Sequence, residues 1–137
     1  MIIGIGIDTT DVFRFKKWNQ KNKQSLMRLF SKEEIAYIFA SPLHSTERFA
    51  VRFAAKEAFA KAIRQNLAPH CPLLTVFKAV WIEKHQTGIP FLKVNWKKLL
   101  VPSMQIDAST LKTHLSISHS CTTATAFVVI ESITVVN

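Results

Sequence analysis

The chain has 137 residues, 48% hydrophobic and 20% charged, values that suit one globular domain over residues 1–137 with a core of its own. Its two cysteines, Cys71 and Cys121, form no CxxC and have no ligand pattern nearby, which argues against a zinc module or a disulfide framework and suits a reducing compartment. Eighteen Lys+Arg against nine Asp+Glu give a net charge of +9, a field that draws anionic partners of any kind: nucleic acid, a phosphorylated cofactor, an acidic protein or a membrane surface.

In chain order, Ile2–Ile7 is β-branched and punctuated by Gly4 and Gly6, and predicts a short strand ending at Asp8. Nothing here reads as a signal peptide, because the apolar start is too short and leads straight into Asp8. Thr10 can cap a helix with Val12, Phe15 and Trp18 on one side and Arg14, Lys16, Lys17 and Lys21 elsewhere. Ser31-Lys-Glu-Glu34 is a capping box that opens a helix through Ile35 and Ile38, and Ser41-Pro42 breaks it. The longest helix runs from about Ser45 to Gln65, without Gly or Pro, rich in Ala, and with Phe49, Phe53, Ala60 and Ile63 at helical spacing.

Beyond Pro69 and Pro72 the pattern changes. Val76–Glu83 reads as a strand, Gln86-Thr-Gly88 as a turn and Ile89–Val94 as the hairpin partner. Leu111–His119 and Ala124–Ile133 predict a closing antiparallel pair joined at Ser120–Thr123. One strand, then helices, then strands is the order of an α+β fold. The longest apolar runs, such as Ala124–Ile130, fall far below the roughly 20 residues that span a bilayer, so a cytoplasmic protein without a membrane partner is expected.

Three constellations could carry chemistry, and each leaves two readings open. Asp8, at the end of an apolar strand, is placed either to bind Mg²⁺, which prefers hard oxygen ligands, or to serve as a first-turn aspartate of the helix that follows. On the long helix Arg48, Arg52 and Lys56 recur every four residues as a basic stripe, with Glu57 and Lys61 four apart beside it. A carboxylate held next to a lysine on a rigid helix can combine metal binding with phosphate neutralisation, or it can be a routine surface ion pair. The apolar neighbours Phe53, Ala54, Ala55, Ala58 and Phe59 argue that these charges are partly buried, where a charge needs a partner or a task. In His114-Leu-Ser-Ile-Ser-His119-Ser120, the terminal histidine and serine are either phosphate donors or the ordinary residues of a strand end and turn.

Gly4-Ile-Gly-Ile-Asp8, Arg52-Phe-Ala-Ala-Lys-Glu-Ala-Phe-Ala-Lys61 and His114-Leu-Ser-Ile-Ser-His119-Ser120, in this order, resemble the holo-[acyl-carrier-protein] synthases of the 4'-phosphopantetheinyl transferase superfamily. The middle motif is the most specific, and the likeness covers Met1 to Lys61 and Thr113 to Glu131. The resemblance implies an α+β fold with a long helix on a small antiparallel sheet, assembled as a homotrimer with sites where subunits meet. It implies transfer of 4'-phosphopantetheine from coenzyme A to a serine of an acidic acyl carrier protein. Asp8 and Glu57 match the residues that hold Mg²⁺ against the coenzyme A pyrophosphate, and Lys61 matches the lysine beside the phosphates. Arg52 and Lys56 of the same motif are expected on the cofactor side, and His119 and Ser120 near the 3'-phosphate. Arg14, Trp18 and Lys21 fall on the first helix, which in relatives receives the acidic helix of the carrier. Relatives usually carry a glycine-rich stretch after the long helix; this chain has Arg64-Gln-Asn-Leu-Ala-Pro69 there, and Gln86-Thr-Gly-Ile-Pro90 at the hairpin.

Two rival readings use the same residues. A Mg²⁺-dependent nucleotide pyrophosphatase would keep the metal and take water as acceptor. A small nucleic-acid binder would use its basic charge and its aromatics, but no recognised binding motif is present, so no nucleic-acid partner is expected.

Overall fold

In the computed structural model, which describes residues 1–133, strand β1 (Ile2–Asp11) leads into 3-10 turns at Val12–Phe15 and Trp18–Gln20. Helices α1 (Lys23–Leu26) and α2 (Lys32–Phe39) follow, and a 3-10 turn at Pro42–His44 opens α3 (Ser45–Asn66). Then come α4 (Leu73–Ala79), the hairpin β2 (Val80–Lys84) and β3 (Pro90–Val94), and the closing strands β4 (Leu111–His119) and β5 (Thr123–Ser132). The large sheet is antiparallel in the order β1-β5-β4, and β2-β3 form a separate ladder. The architecture is the expected α+β, a long helix laid on a small antiparallel sheet. Of the single domain expected over residues 1–137, residues 134–137 lie outside the described part.

α3 is buried on nearly every side, as its Ala-rich composition permits. One side packs Ala58, Ala62 and Ile63 against Ala126, Val128 and Ile130 of β5 and against Val80 and Leu92 of the hairpin. Another packs Phe49 and Phe53 with Phe15 and Phe30 in an aromatic cluster, with Trp18 at 4.6 Å from Phe15. The approach of β1 is closer than side-chain packing allows. A Cβ at Gly4 would lie 2.2 Å from the Ala62 carbonyl oxygen, and one at Gly6 would lie 1.8 Å from that of Ala58. Only glycine in the strand and alanine in the helix let the two backbones touch. Polar groups of α3 then satisfy the free edge of β1: the Ile5 N–H donates to Gln65 Oε1 (3.0 Å), and Gln65 Nε2 donates back to the Ile5 carbonyl (2.8 Å). Asn66 Nδ2 donates to the Ile3 carbonyl at 2.6 Å.

The capping box forms as predicted, with Glu34 N–H donating to Ser31 Oγ (3.1 Å) and Ser31 N–H to Glu34 Oε1 (3.0 Å). Glu34 then goes further than a cap. Its carboxylate meets Lys56 Nζ at 2.9 Å, with side-chain exposures of 0% and 1%. Lys56 also donates to the carbonyls of Phe77 (2.9 Å) and Val80 (2.6 Å), and the Ile82 N–H donates to Glu34 Oε2 (3.2 Å). This satisfied network joins α2, α3, α4 and β2, the condition under which a buried ion pair is tolerated. The expected cofactor role of Lys56 is therefore corrected: its ammonium is in the core, where no phosphate reaches it.

Two element assignments change. Thr10 caps no helix, because the β1–β5 ladder continues through Thr10↔Ala124 to Asp11↔Thr123. The spacing of Val12, Phe15 and Trp18 is three residues, the period of a 3-10 turn, and the segment buries those side chains that way. Residues 76–79 are helical and the strand starts at Val80; Leu73, Val76, Phe77 and Val80 form an i, i+3, i+4, i+7 stripe that packs on the core. Among the described residues no helix is long and apolar enough to cross a membrane.

Substituting Gly6→Ala is expected to lower stability by at least ~2 kcal/mol, since the added methyl must push backbone from backbone. The urea midpoint at unchanged m value measures it, and a midpoint equal to wild type would show that the strand can lift from α3 at no cost.

Candidate functional site

Alternation along β1 puts Gly4, Gly6, Asp8 and Thr10 on the side of α3. Asp8 thus stands one pleat beyond the glycine that touches Ala58, and the next turn of α3 brings Lys61 to it. Lys61 Nζ donates to Asp8 Oδ1 (2.9 Å) and to the Ile7 carbonyl (2.8 Å). The pairing expected within the helix, Glu57 with Lys61, is thus replaced by one between elements. Glu57 lies half-buried beside them. Burial first, and the negative charge of Asp8 second, raise its carboxyl above the ordinary 4.5, while Lys61, Arg14 and Arg64 pull the other way. Two carboxylates that repel each other, with one lysine, converge at the margin between strand and helix.

This donor set fits a Mg²⁺ ion. Among the described residues no group of three or more His, Cys, Asp or Glu gathers around one point. Magnesium is commonly bound by one or two carboxylates and fills its remaining positions with water and substrate phosphate.

A second concavity, of about 430 Å³, lies elsewhere on α3 and is lined by Tyr37, His44, Arg48, Arg52, Lys84 and His119 among others. Here the expected residues Arg52 and His119 meet, from the helix and from the end of β4. Arg52 is 5% exposed, and its guanidinium carbon lies 4.2 Å from the centre of the Tyr37 ring. Sequence reasoning missed Tyr37, His44 and Lys84, which sit on other elements and share no spacing with Arg52. Ser120 is not in this wall: its hydroxyl oxygen accepts from the N–H groups of Thr122 (3.2 Å) and Thr123 (3.1 Å), the turn-building alternative. Arg52 and Glu57 are five residues apart, roughly 140° around α3 at 3.6 residues per turn, so the two places face different directions.

A third surface, around a hollow of about 450 Å³, gathers Phe13, Arg14, Lys16, Lys17, Trp18 and Lys21 from the turns after β1. Trp18 leans its ring on Phe15 and Phe49 and carries Lys21 Nζ at 5.2 Å on its face. Arg14 stacks at 4.6 Å over Phe53 and is close enough to act on the charge of Glu57. Arg14, Trp18 and Lys21 are therefore neighbours of one another, and Arg14 links them to Glu57.

Comparison with known proteins gives one consistent family. The family model described as the 4'-phosphopantetheinyl transferase superfamily matches residues 4–123. The chain is 40% identical over 131 residues to the holo-[acyl-carrier-protein] synthase of Treponema denticola, covering 96% of this chain and 99% of that protein. The crystal structure of the Bacillus anthracis holo-(acyl-carrier-protein) synthase, in complex with CoA (3',5'-ADP), superposes with a TM-score of 0.70 at 31% identity, over 96% of this chain and 98% of the other. The holo-[acyl-carrier-protein] synthase of Neisseria meningitidis superposes with a TM-score of 0.73 at 30% identity, over 96% and 100%.

The crowding of Glu57 has a sign that can be tested. An acid whose pKa is raised on folding adds stability below its unfolded value and loses it as pH climbs through the folded one. Glu57→Gln is therefore expected to be more stable than wild type at pH 7, with the two urea midpoints converging below about pH 4. Equal midpoints at both pH values would mean that Glu57 is not crowded at all.

Proposed function

The chain belongs to the 4'-phosphopantetheinyl transferase superfamily, and from that premise we propose that it is a holo-[acyl-carrier-protein] synthase, moving the 4'-phosphopantetheine group of coenzyme A to a serine of an apo acyl carrier protein. The observation that carries the reading is the convergence of Asp8, Glu57 and Lys61 at an accessible margin, an arrangement suited to a diphosphate. Asp8 and Glu57 would hold Mg²⁺, which when bound neutralises pyrophosphate charge and stabilises the leaving group. Lys61, anchored on Asp8 and Ile7, keeps a positive charge at the same spot. The serine hydroxyl attacks the pantetheine-side phosphorus, the bond between that phosphorus and the bridging oxygen breaks, and adenosine 3',5'-bisphosphate leaves with the electron pair. The serine proton goes to Glu57 or to a water beside it. Phosphoryl transfer asks the protein chiefly for such positioning and charge placement.

The 3'-phosphate of the cofactor goes, in this reading, to Arg52 and His119 in the second concavity. Because that concavity and Glu57 face different sides of α3, one coenzyme A molecule would span two chains. A homotrimer meets this need, and the outer face of the sheet supports it: Ile7 and Phe127 are cross-strand partners that are 57% and 40% exposed, with Ile5 at 43% beside them. The basic surface of Arg14, Trp18 and Lys21 would receive the acidic carrier next to Glu57, and its cations suit that partner's charge. A cytoplasmic location goes with this reading.

Incubating the protein with coenzyme A, Mg²⁺ and an apo carrier should add the mass of one phosphopantetheine to the carrier, with adenosine bisphosphate released only when the carrier is present. Release without carrier would point instead to a pyrophosphatase. Glu57→Gln should fold and lose at least ~10²-fold in transfer, through loss of a charged ligand and base; near wild-type turnover would remove Glu57 from the mechanism. Placing a charge on the outer sheet face, Ile7→Glu, should turn a trimer into monomers by light scattering, and a wild-type protein already monomeric would refute shared sites.

A further inference from the structure

We propose that Tyr37 is a positioning residue for the 3'-phosphate end of coenzyme A, holding Arg48, Arg52 and Lys84 together as one phosphate-binding cluster. The inference rests on the transferase reading above and adds to it a residue outside all three motifs. Tyr37 projects from α2 between residues of two other elements. The guanidinium carbons of Arg48 and Arg52 lie 4.1 Å and 4.2 Å from its ring centre, and Lys84 Nζ donates to its hydroxyl oxygen at 2.6 Å. Arg48 Nη1 is further tied to the Tyr37 carbonyl.

The choice of an aromatic ring is what gives the cluster its chemistry. Cations packed this closely repel one another, and a carboxylate would cancel their charge while ordering them. Among the described residues Arg48, Arg52 and Lys84 make no salt bridge; Glu34 is taken by Lys56, and Glu47 lies 3.7 Å from His44. A neutral ring binds guanidinium groups through its face without neutralising them. The result is an ordered, net positive wall on a cavity of about 430 Å³ that also receives His119 and Glu47. Among the described residues the buried Nε of Arg52 has no hydrogen-bond partner, and the guanidinium stacks on the Tyr37 ring. Such a wall selects a doubly charged phosphate monoester over a neutral hydroxyl.

The test is steady-state kinetics of carrier modification with coenzyme A and with dephospho-coenzyme A, the same molecule lacking the 3'-phosphate. Tyr37→Leu should raise KM for coenzyme A about tenfold, the loss of two cation–π contacts and one hydrogen bond at a partly shielded site. Its kcat should stay within about twofold, and KM for dephospho-coenzyme A should not move, because the reacting phosphates lie elsewhere. Tyr37→Phe keeps the stacking and loses only the Lys84 bond, so it should recover most of the preference, with KM up about threefold. An unchanged KM for coenzyme A in both variants, or an equal rise for both substrates, would overturn the proposal. Should Tyr37→Leu fail to fold, Tyr37→Phe decides on the same criterion. Wild-type protein that modifies no carrier would overturn the transferase reading and this proposal together, whereas wild-type transfer with unaltered variants sinks only the role of Tyr37.

Discussion

The contact on which the rest depends is between two backbones: Gly4 and Gly6 of β1 against the carbonyls of Ala62 and Ala58 in α3. It fixes how close the strand comes to the helix, and therefore where Asp8, one pleat further along, meets Lys61 and the charge of Glu57. A side chain at either glycine would move the strand outward and carry Asp8 with it. Lys61, Gln65 and Asn66 reinforce the same geometry by bonding the free edge of β1 at Ile7, Ile5 and Ile3. The edge is thereby closed to pairing with another strand, which such a row of free amides would otherwise invite. The Gly-x-Gly-x-Asp pattern is a packing motif first, and its carboxylate has a defined place only because of that packing.

α3 sorts its charges by depth, and the sorting separates structural from chemical roles. Lys56 and Glu57 are consecutive, yet Lys56 is sealed in the core with Glu34 and two carbonyls, every donor engaged. Burial lowers its pKa, and the Glu34 carboxylate opposes that shift. Among the described residues Glu57 makes no such ion pair: after burial, the largest effect on it is the repulsion of Asp8, which Lys61, Arg14 and Arg64 oppose. The first arrangement is closed and adds conformational specificity. The second is left with charge to be relieved, the arrangement proposed above to hold a divalent cation. Adjacent residues of one motif thus serve opposite ends, and only their depth tells them apart.

What could be read in the sequence was whatever is local. The Ser31–Glu34 capping box, the Ala-rich helix from Ser45 and the strands around the turn at Ser120 depend on neighbours a few residues away, and all formed where expected. The errors arose where one pattern fits two periods. Val12, Phe15 and Trp18 suit a helix or a 3-10 segment, and the ladder that carries β1 on to Asp11 decided for the latter, a pairing with residues more than a hundred positions away. Val76, Phe77 and Val80 look like β-branched and aromatic strand residues in isolation, and their helical stripe emerges only with Leu73, just past the Pro72 that precedes the helix. The site was legible in Asp8, Glu57 and Lys61 because their motifs are specific. It was not legible in Tyr37 and Lys84, which reach Arg52 from other elements with no shared spacing. Nor could the depth of Lys56 be read, since the stripe Arg48, Arg52, Lys56 ignores that Glu34 lies over its last member.

The same distinction applies to charge. A net +9 is a property of composition and attracts any anion. At physiological salt, fields are screened over about 8 Å, so recognition depends on which cations are clustered within that distance. The fold makes two such clusters, Arg48, Arg52 and Lys84 around Tyr37, and Arg14, Lys16, Lys17 and Lys21 around Trp18. Glu57 feels the charge of Arg14, a member of the second cluster. A nucleic-acid binder would gain from one continuous basic face, whereas separate clusters facing different ways, with Glu57 beside one of them, suit two distinct anions. The division of the positive charge, more than its total, is what favours a transferase over a basic binding protein.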